Sequence, residues 1–317
     1  MNDQDVIKWL WDHGYFWDPT NSVVDVFSAV ANLDLHDPDL ITCDALESFQ
    51  IHNFSRINRY TEELYSEAHR VTGKCGEATR RAMAEPRFCP LPDFAPPPGV
   101  KFSYADADLQ NAVLRMQAAG TGSWPPPCQR EGVTFSVDER GMPAEVREYW
   151  PQVKLRVIRD VGHRGCRLVE KNYGQDVNIR LSWENLDRYG QFVIGLAEFN
   201  SGKCNDSVFL KLDPSYHPNV DQVSRVTLHE IGHNLNLPHT PQADDGIMSP
   251  TIGQGYPGFV DTDPSIPLLK RFFPGGPIDA EDPPPTKPTG VALLGTTQVE
   301  VDGKIVGEFS FRPKTTL

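Results

Sequence analysis

Three closely spaced histidines restrict the possible fold and function of this chain more than any other feature: His229, His233 and His239. His229 and His233 are four residues apart, so on a helix they lie on one face and both imidazoles can reach a single metal ion. Residues 220–228 contain no helix breaker, which predicts a helix that begins before the first histidine. The third histidine can join the other two only if the helix ends soon after His233.

The segment between His233 and His239 predicts how the chain turns back. Asn236 belongs to the few residue types that tolerate a left-handed backbone, so we expect the helix to end there. Pro238 prevents further helix and favours an extended Leu237. Three neutral histidines and one water form the open geometry of a catalytic zinc site. The alternative is an exposed amphipathic helix with surface histidines.

Glu230 directly follows the first histidine. In that position its carboxylate can lie over the open position of the ion and take a proton from a bound water. The pattern therefore predicts Zn²⁺ as cofactor, with Glu230 as the catalytic base.

The three-histidine pattern resembles the HExxHxxGxxH signature of the metzincin zinc proteases, with Asn236 where the family has glycine. Met248 follows His239 by nine residues, within GIMSP, and resembles the metzincin Met-turn. The Met-Ser-Pro form is most similar to the matrixins, the matrix-metalloproteinase family. The resemblance implies a metzincin-like domain of α+β or α/β class, with a mixed twisted sheet and an active-site helix. It also implies that Met248 and Asn236 support the site without ligating the metal.

The same resemblance implies a zinc-dependent endopeptidase acting on a protein or peptide substrate. Zinc would polarise the scissile carbonyl, and Glu230 would pass the proton of the water to the leaving amine. Gly195, Leu196 and Ala197 resemble the matrixin strand that pairs with extended substrate, although a core strand without substrate contact is the alternative. Asp206 and Asp213 are candidates for Ca²⁺, but isolated aspartates usually face water.

A second resemblance lies in residues 86–93, PRFCPLPD, which are similar to the cysteine switch PRCGxPD of matrixin propeptides. In that family the thiolate occupies the fourth position on zinc and keeps the zymogen silent, and thiolate is a strong zinc ligand. The resemblance implies that Cys89 is a ligand in the latent form only, until residues 95–99 are cut or the thiol is modified. Here Phe88 is inserted before Cys89 and no glycine follows it. The alternative is an ordinary buried or paired cysteine.

The balance of charge narrows the range of partners. Asp plus Glu number 43 and Lys plus Arg number 30, which gives a net charge of −13. This excess of negative charge argues against nucleic acid and anionic membrane surfaces. No apolar run reaches the ~18 residues that a membrane span needs.

The cellular location stays open at this point. The start of the chain has no secretory signal pattern, whereas the matrixin resemblance implies an extracellular protein. There are six cysteines and no CxxC pair, so three disulfides are allowed and a cysteine zinc knuckle is disfavoured.

Clusters of proline, which makes up 28 of 317 residues, divide the chain. We predict a helical domain over 1–93, a Pro-rich linker with one helix over 94–127, a metzincin-like protease domain over 128–276, and a Pro-rich linker with a β-hairpin tail over 277–317. Residues 45–50, ALESFQ, resemble a helix of the peptidoglycan-binding-like fold that matrixin propeptides use.

Periodicity predicts the individual elements. Helices are expected around Val6 and Leu10, around Val24, Phe27 and Val30, around Leu46, Phe49 and Ile51, and over 77–84, 106–118, 143–150 and 263–273. Strands are expected over 133–137, 153–158, 168–171, 177–183, 192–199 and 208–212. Pro151 is expected to end the helix before it. Asp302-Gly303 predicts a hairpin turn.

Two other functions remain open from the sequence. The first domain could bind cell-wall glycan (peptidoglycan), with the protease tethered to it. Alternatively the chain could be an inactive zinc protein that serves as an interaction scaffold, although such a protein would not need Glu230.

Overall fold

The computed structural model describes part of the chain, in stretches separated by gaps. The described residues are 1–17, 43–54, 57, 71, 73–96, 102–119, 131–216, 219–240, 246–251, 256, 258–259, 265–274, 293–294, 298–301 and 304–308. The chain divides into two compact units, Met1–Ile278 and Asp279–Leu317. The predicted helix around Val24, Phe27 and Val30 lies outside the described residues.

The first part of the larger unit is helical, as predicted. It contains α1 (Asp3–Asp12), a 3₁₀ turn (Tyr15–Trp17), α2 (Cys43–His52) and α3 (Glu77–Met83). Asn2 begins α1 with a capping box, because its side chain accepts from the Asp5 amide while the Asp5 side chain accepts from the Asn2 amide. On α1, the side chains of Val6, Ile7 and Leu10 pack with residues of α2 in a hydrophobic cluster that is separate from the main core.

A five-stranded sheet forms the centre of the same unit. Its strands are β1 (Val133–Val137), β2 (Leu168–Glu170), β3 (Ile179–Trp183), β4 (Gly195–Ala197) and β5 (Val208–Leu212). The strand order is β2-β1-β3-β5-β4, and only β4 is antiparallel to its neighbour. The described residues therefore form a mixed α/β fold in which β4 lies at one edge of the sheet.

Among the described residues, this unit has four more helices: α4 (Ala107–Ala119), α5 (Ala144–His163), α6 (Val220–Asn234) and α7 (Ile266–Phe272). The predicted helices over 106–118 and 263–273 are confirmed, with the last one shorter than expected. Ala112, Val113 and Met116 bury one face of α4 in the main core with the sheet. Arg115 on the same helix forms ion pairs with Glu198 and Asp206. The helix predicted within the linker is thus packed against the sheet.

The helix predicted over 143–150 forms, but the prediction for residues 151–158 was wrong. Pro151 does not end a helix, and no strand forms over 153–158, because α5 continues through both. The buried residues Val146, Trp150, Val153, Val157 and Val161 recur every three or four positions. Burial of such a helical stripe outweighs the cost of an internal proline, about 3 kcal/mol. The apparent alternation in VKLRVI fitted a strand over that short window only.

The smaller unit contains β6 (Leu293–Leu294), β7 (Gln298–Val301) and β8 (Lys304–Glu308), paired antiparallel in that order. β7 and β8 lie on either side of the predicted Asp302-Gly303 turn and pair antiparallel, as a hairpin requires, while the two turn residues lie outside the described residues. In the described part of the chain, no helix has the length and apolar character needed to cross a membrane.

Candidate metal centre

The helix α6 carries the first two histidines of the motif. Asn219 begins it, because its side chain accepts a hydrogen bond from the Gln222 amide at 2.9 Å. The predicted helix over 220–228 is therefore confirmed and continues to Asn234. His229 and His233 are both fully buried on this helix, one turn apart.

The helix ends as the local sequence predicts. Asn236 adopts φ 69°, and it has the only left-handed backbone among the non-glycine residues that the structure describes. The Leu237 amide donates to the Gly232 carbonyl at 2.9 Å, and the Asn236 amide donates to the His233 carbonyl at 2.8 Å. These two bonds form the Schellman pattern, which turns the chain back toward the helix. The Asn236 side chain accepts from the Asn200 amide at 2.8 Å, which ties the turn to the residues after β4.

The structure brings Cys89 and the three histidines together. The Nε2 atom of His233 lies 3.0 Å from Nε2 of His229, 3.2 Å from Nε2 of His239 and 3.5 Å from Sγ of Cys89. All four donor atoms lie within 4.8 Å of one another, and all four residues are buried. Ligands of a tetrahedral zinc at its usual bond lengths would be about 3.3 to 3.6 Å apart. The cluster could therefore hold a metal ion.

The other ring nitrogen of each histidine has an acceptor. Nδ1 of His229 lies 2.8 Å from the Ile247 carbonyl, and Nδ1 of His233 lies 2.8 Å from the Leu237 carbonyl. Nδ1 of His239 lies 3.1 Å from the Asp93 carboxylate. A proton on each Nδ1 leaves each Nε2 lone pair free to face the ion.

The protonation of the histidines suits metal binding. Burial lowers the pKa of His229 and His233 well below its usual value, and the neighbouring imidazoles lower it further. Burial also lowers the pKa of His239, while the hydrogen bond to Asp93 opposes this effect. The rings are therefore neutral near pH 7, which is the form that binds metal.

Cys89 reaches the histidines through a segment that lies along the sheet edge. We call residues 86–93 the Cys89 segment. The Phe88 carbonyl accepts from the Ile194 amide at 2.9 Å and from the Gly195 amide at 3.2 Å, while the Phe88 amide donates to the Pro250 carbonyl at 3.1 Å. Its ring packs against His229 with a centroid distance of 4.5 Å. The inserted Phe88 therefore holds the segment between β4 and the loop of Met248 and leaves Cys89 at the histidines.

The Cys89 thiol is fully buried. Burial and the charge of Glu230 raise its pKa well above the usual value. A bound divalent cation reverses this preference, because coordination deprotonates a thiol.

Glu230 lies beside the cluster in a buried position. Burial raises the pKa of its carboxyl group well above the usual value, and the nearby Cys89 thiol opposes this effect. Neither carboxylate oxygen has a well-aligned hydrogen-bond partner within the described residues. A Cβ on Gly195 would lie 2.3 Å from Glu230 Oε1, so a side chain there would collide with the carboxylate. A buried carboxylate therefore lies next to a cluster that could hold a metal ion.

The three residues of the predicted substrate strand lie on β4. Gly195 contacts the Cys89 segment through its amide, whereas Leu196 pairs with Lys211 and Ala197 pairs with Leu210 of β5. The backbone hydrogen bonds between the segment and this edge of the sheet are therefore at the start of the strand.

Met248 packs directly against the histidine helix. It is fully buried, and a Cβ on Gly232 would lie 2.3 Å from its sulfur atom. The Met248 carbonyl also accepts from the Thr240 amide, next to His239, at 2.9 Å. Met248 thus lies under the helix that carries two of the histidines.

Substituting Gly232→Ala is expected to destabilise the protein, since the new methyl group would overlap the Met248 sulfur. Overpacking of this kind typically costs about 1–3 kcal/mol. The free energy of unfolding, measured by denaturant titration, would show the loss. Gly76→Ala is the comparison, because a Cβ there meets nothing within 4 Å and only the N-cap preference for glycine over alanine acts at that position. Equal stability of the two variants would contradict the close packing.

The two aspartates considered for Ca²⁺ are engaged elsewhere. Asp206 pairs with Arg115 and accepts from the Ser201 amide. Asp213 accepts from the Leu186 amide at 2.6 Å and from Ser215. Within the described part of the chain, the Cys89 cluster is the one group of three or more such side chains that could hold a metal.

Sequence reasoning missed two contacts at the site. The first is the Asp93 carboxylate on His239, and the second is the Phe88 ring on His229. A signal for Asp93 existed, because it is the one acid within a Pro-rich and apolar run. Its distance from His239 along the chain gave no reason to pair the two.

No family model matches this chain, and no curated protein matches it either.

Proposed function

We propose that this protein is a zinc-dependent endopeptidase of matrixin type, made in a latent form that Cys89 keeps silent. One observation carries the proposal: the three histidines of the motif and Cys89 converge in a buried cluster beside the buried carboxylate of Glu230. Such a carboxylate serves hydrolysis but has no use in a purely structural metal site.

The donor set favours zinc over other biological cations. Three neutral imidazoles and a thiolate are ligands that Zn²⁺ prefers, whereas Mg²⁺ and Ca²⁺ prefer oxygen. Three protein ligands that remain after the thiol leaves are typical of catalytic zinc.

The residues around the cluster would perform distinct tasks. His229, His233 and His239 hold the ion, and the carbonyls of Ile247 and Leu237 orient two of the rings. When bound, zinc supplies Lewis acidity that polarises the scissile carbonyl and acidifies the attacking water. Glu230 accepts the proton of that water and delivers it to the leaving amine, a role that its raised pKa favours.

The position of the Cys89 segment supports a peptide substrate. Phe88 makes backbone hydrogen bonds to the start of β4 on one side and to Pro250 on the other. An extended peptide that replaced this segment would find the same amides and carbonyl, which is how strand addition binds substrates. The five-stranded sheet with one antiparallel edge strand is compatible with a metzincin-like domain.

One further feature favours an oxidising compartment, as the family implies. Cys204 is disulfide-bonded, and disulfides persist mainly in secreted or otherwise oxidised proteins.

Cleavage of an unbiased peptide library by the zinc-loaded full chain tests the proposal. We expect Cys89→Ala, or modification of the thiol in the wild type, to raise cleavage by about tenfold or more, since the fourth position on the ion opens. Mass spectrometry of the peptides and of the chain itself measures both cleavage and self-processing. Cys166→Ala is the matched control, because Cys166 is also a buried free cysteine.

Three outcomes are informative. Cleavage that depends on releasing Cys89 supports a latent endopeptidase. Equal cleavage by wild type and Cys89→Ala would remove the latency and retain the protease. No cleavage by any form, with zinc bound, would overturn the endopeptidase and favour a scaffold.

A further inference from the structure

The three histidines differ in where their Nδ1 partners come from. Ile247 and Leu237 both follow the histidine helix in the chain, so neither of their carbonyls belongs to the Cys89 segment. The partner of His239 is Asp93, which ends that segment and lies four residues after Cys89. A single segment therefore supplies both a donor to the cluster and an acceptor behind one of its histidines.

Asp93 is held firmly in this position. It is 1% exposed, and it accepts from Arg87 Nη2 at 2.7 Å and from Tyr15 Oη at 2.8 Å. Its amide donates to the His13 carbonyl at 2.8 Å, and Asn53 in turn donates to Tyr15 Oη at 2.7 Å. Side chains from the helical N-terminal part thus fix the carboxylate that faces His239.

The charge of Asp93 makes it the strongest of the three Nδ1 acceptors. Arg87 Nη1 and Nη2 lie 3.1 and 2.7 Å from its two carboxylate oxygens, so a cation is paired directly with the group. This bidentate ion pair favours the carboxylate form of Asp93. Hydrogen bonds to an ionised acceptor are roughly twice as strong as those between neutral groups.

We propose that Asp93 is a positioning residue for His239. The latent chain would then bind its metal ion with higher affinity than the same chain after the Cys89 segment has been displaced. The inference rests on the proposed function, in which that segment is displaced. Partners behind a metal-ligating histidine fix the ring and raise its basicity, and losing one typically costs 10- to 100-fold in affinity. After displacement, Nδ1 of His239 would exchange a buried carboxylate for water. Displacement of the segment would therefore lower the affinity for the ion at the same time as it opens the site.

The competing interpretation is that Asp93 only anchors the segment through Arg87. In that case its loss would act through Cys89, whose thiol would move away from the ion. The two interpretations differ in whether the metal–thiolate bond survives when Asp93 is replaced.

The test uses the full chain loaded with Co²⁺, because this ion reports both the metal–thiolate bond and the rate of metal release. The thiolate-to-cobalt absorption band measures whether Cys89 is bound, and transfer of Co²⁺ to excess chelator measures the release rate. We expect Asp93→Ala to keep the band and to release Co²⁺ about 10- to 100-fold faster. Asp93→Asn retains an acceptor without the charge, so a smaller acceleration is expected. Asp138→Ala, which removes an aspartate paired with Arg140 away from the site, is the control and should match the wild type.

Each other outcome overturns the proposal. Unchanged release from folded Asp93→Ala would mean that the carboxylate does not hold His239. Faster release together with loss of the band would assign Asp93 to anchoring alone. If Asp93→Ala fails to fold, Asp93→Asn decides in the same way. None of these readouts needs peptide cleavage, so failure of the endopeptidase proposal would be recognised separately.

Discussion

Replacing Glu230 by glutamine is expected to reduce peptide cleavage by the Cys89-released chain about 10²- to 10⁴-fold, the usual contribution of a general base. Glutamine has nearly the same shape but cannot accept the proton from the attacking water. It should fit the buried space beside Gly195, and the three histidines would be unaffected. Cleavage rates measured beside zinc content would show loss of activity with the metal retained.

Glu148→Gln is the matched control, because Glu148 is exposed on α5. Retained activity in Glu230→Gln would mean that another group takes the proton. Loss of zinc from the same variant would instead assign Glu230 a role in holding the site together.

Replacing His233 by alanine is expected to reduce bound zinc from about one ion per chain to almost none, because a site missing a ligand loses most of its binding free energy. His233 is central in the cluster, since its Nε2 lies within 3.5 Å of each of the other three donors. Metal analysis after dialysis against a weak chelator measures the loss. Peptide cleavage should disappear with the metal.

His163→Ala provides the control, because His163 is an exposed histidine at the end of α5. Zinc that stays bound to His233→Ala at wild-type strength would contradict the assignment of this cluster. In that case the ion would have to occupy residues outside it.

Local elements near the site followed well from the sequence. The His229–His233 spacing requires a helix for both rings to meet, and the helix stop at Asn236 depends only on residues next to it. The same holds for the short strands around 133–137 and 208–212, whose apolar residues match their burial. Errors arose where one local pattern fitted two structures. In residues 151–158, periodicity over a short window could not separate a strand from a helix, and burial against the sheet decided for α5.

The sequence by itself determined the three histidines, the glutamate beside them and the turn that lets them converge, because these depend on spacings of a few residues. Only the tertiary structure decided that Cys89 meets His233 across 144 positions and that Asp93 faces His239. It also decided that Phe88 bonds to the start of β4 and to Pro250. Contacts of this kind depend on how a separate segment lies against the sheet, and that is set by the packing of both partners together. The spacing of residues within either segment does not indicate these contacts.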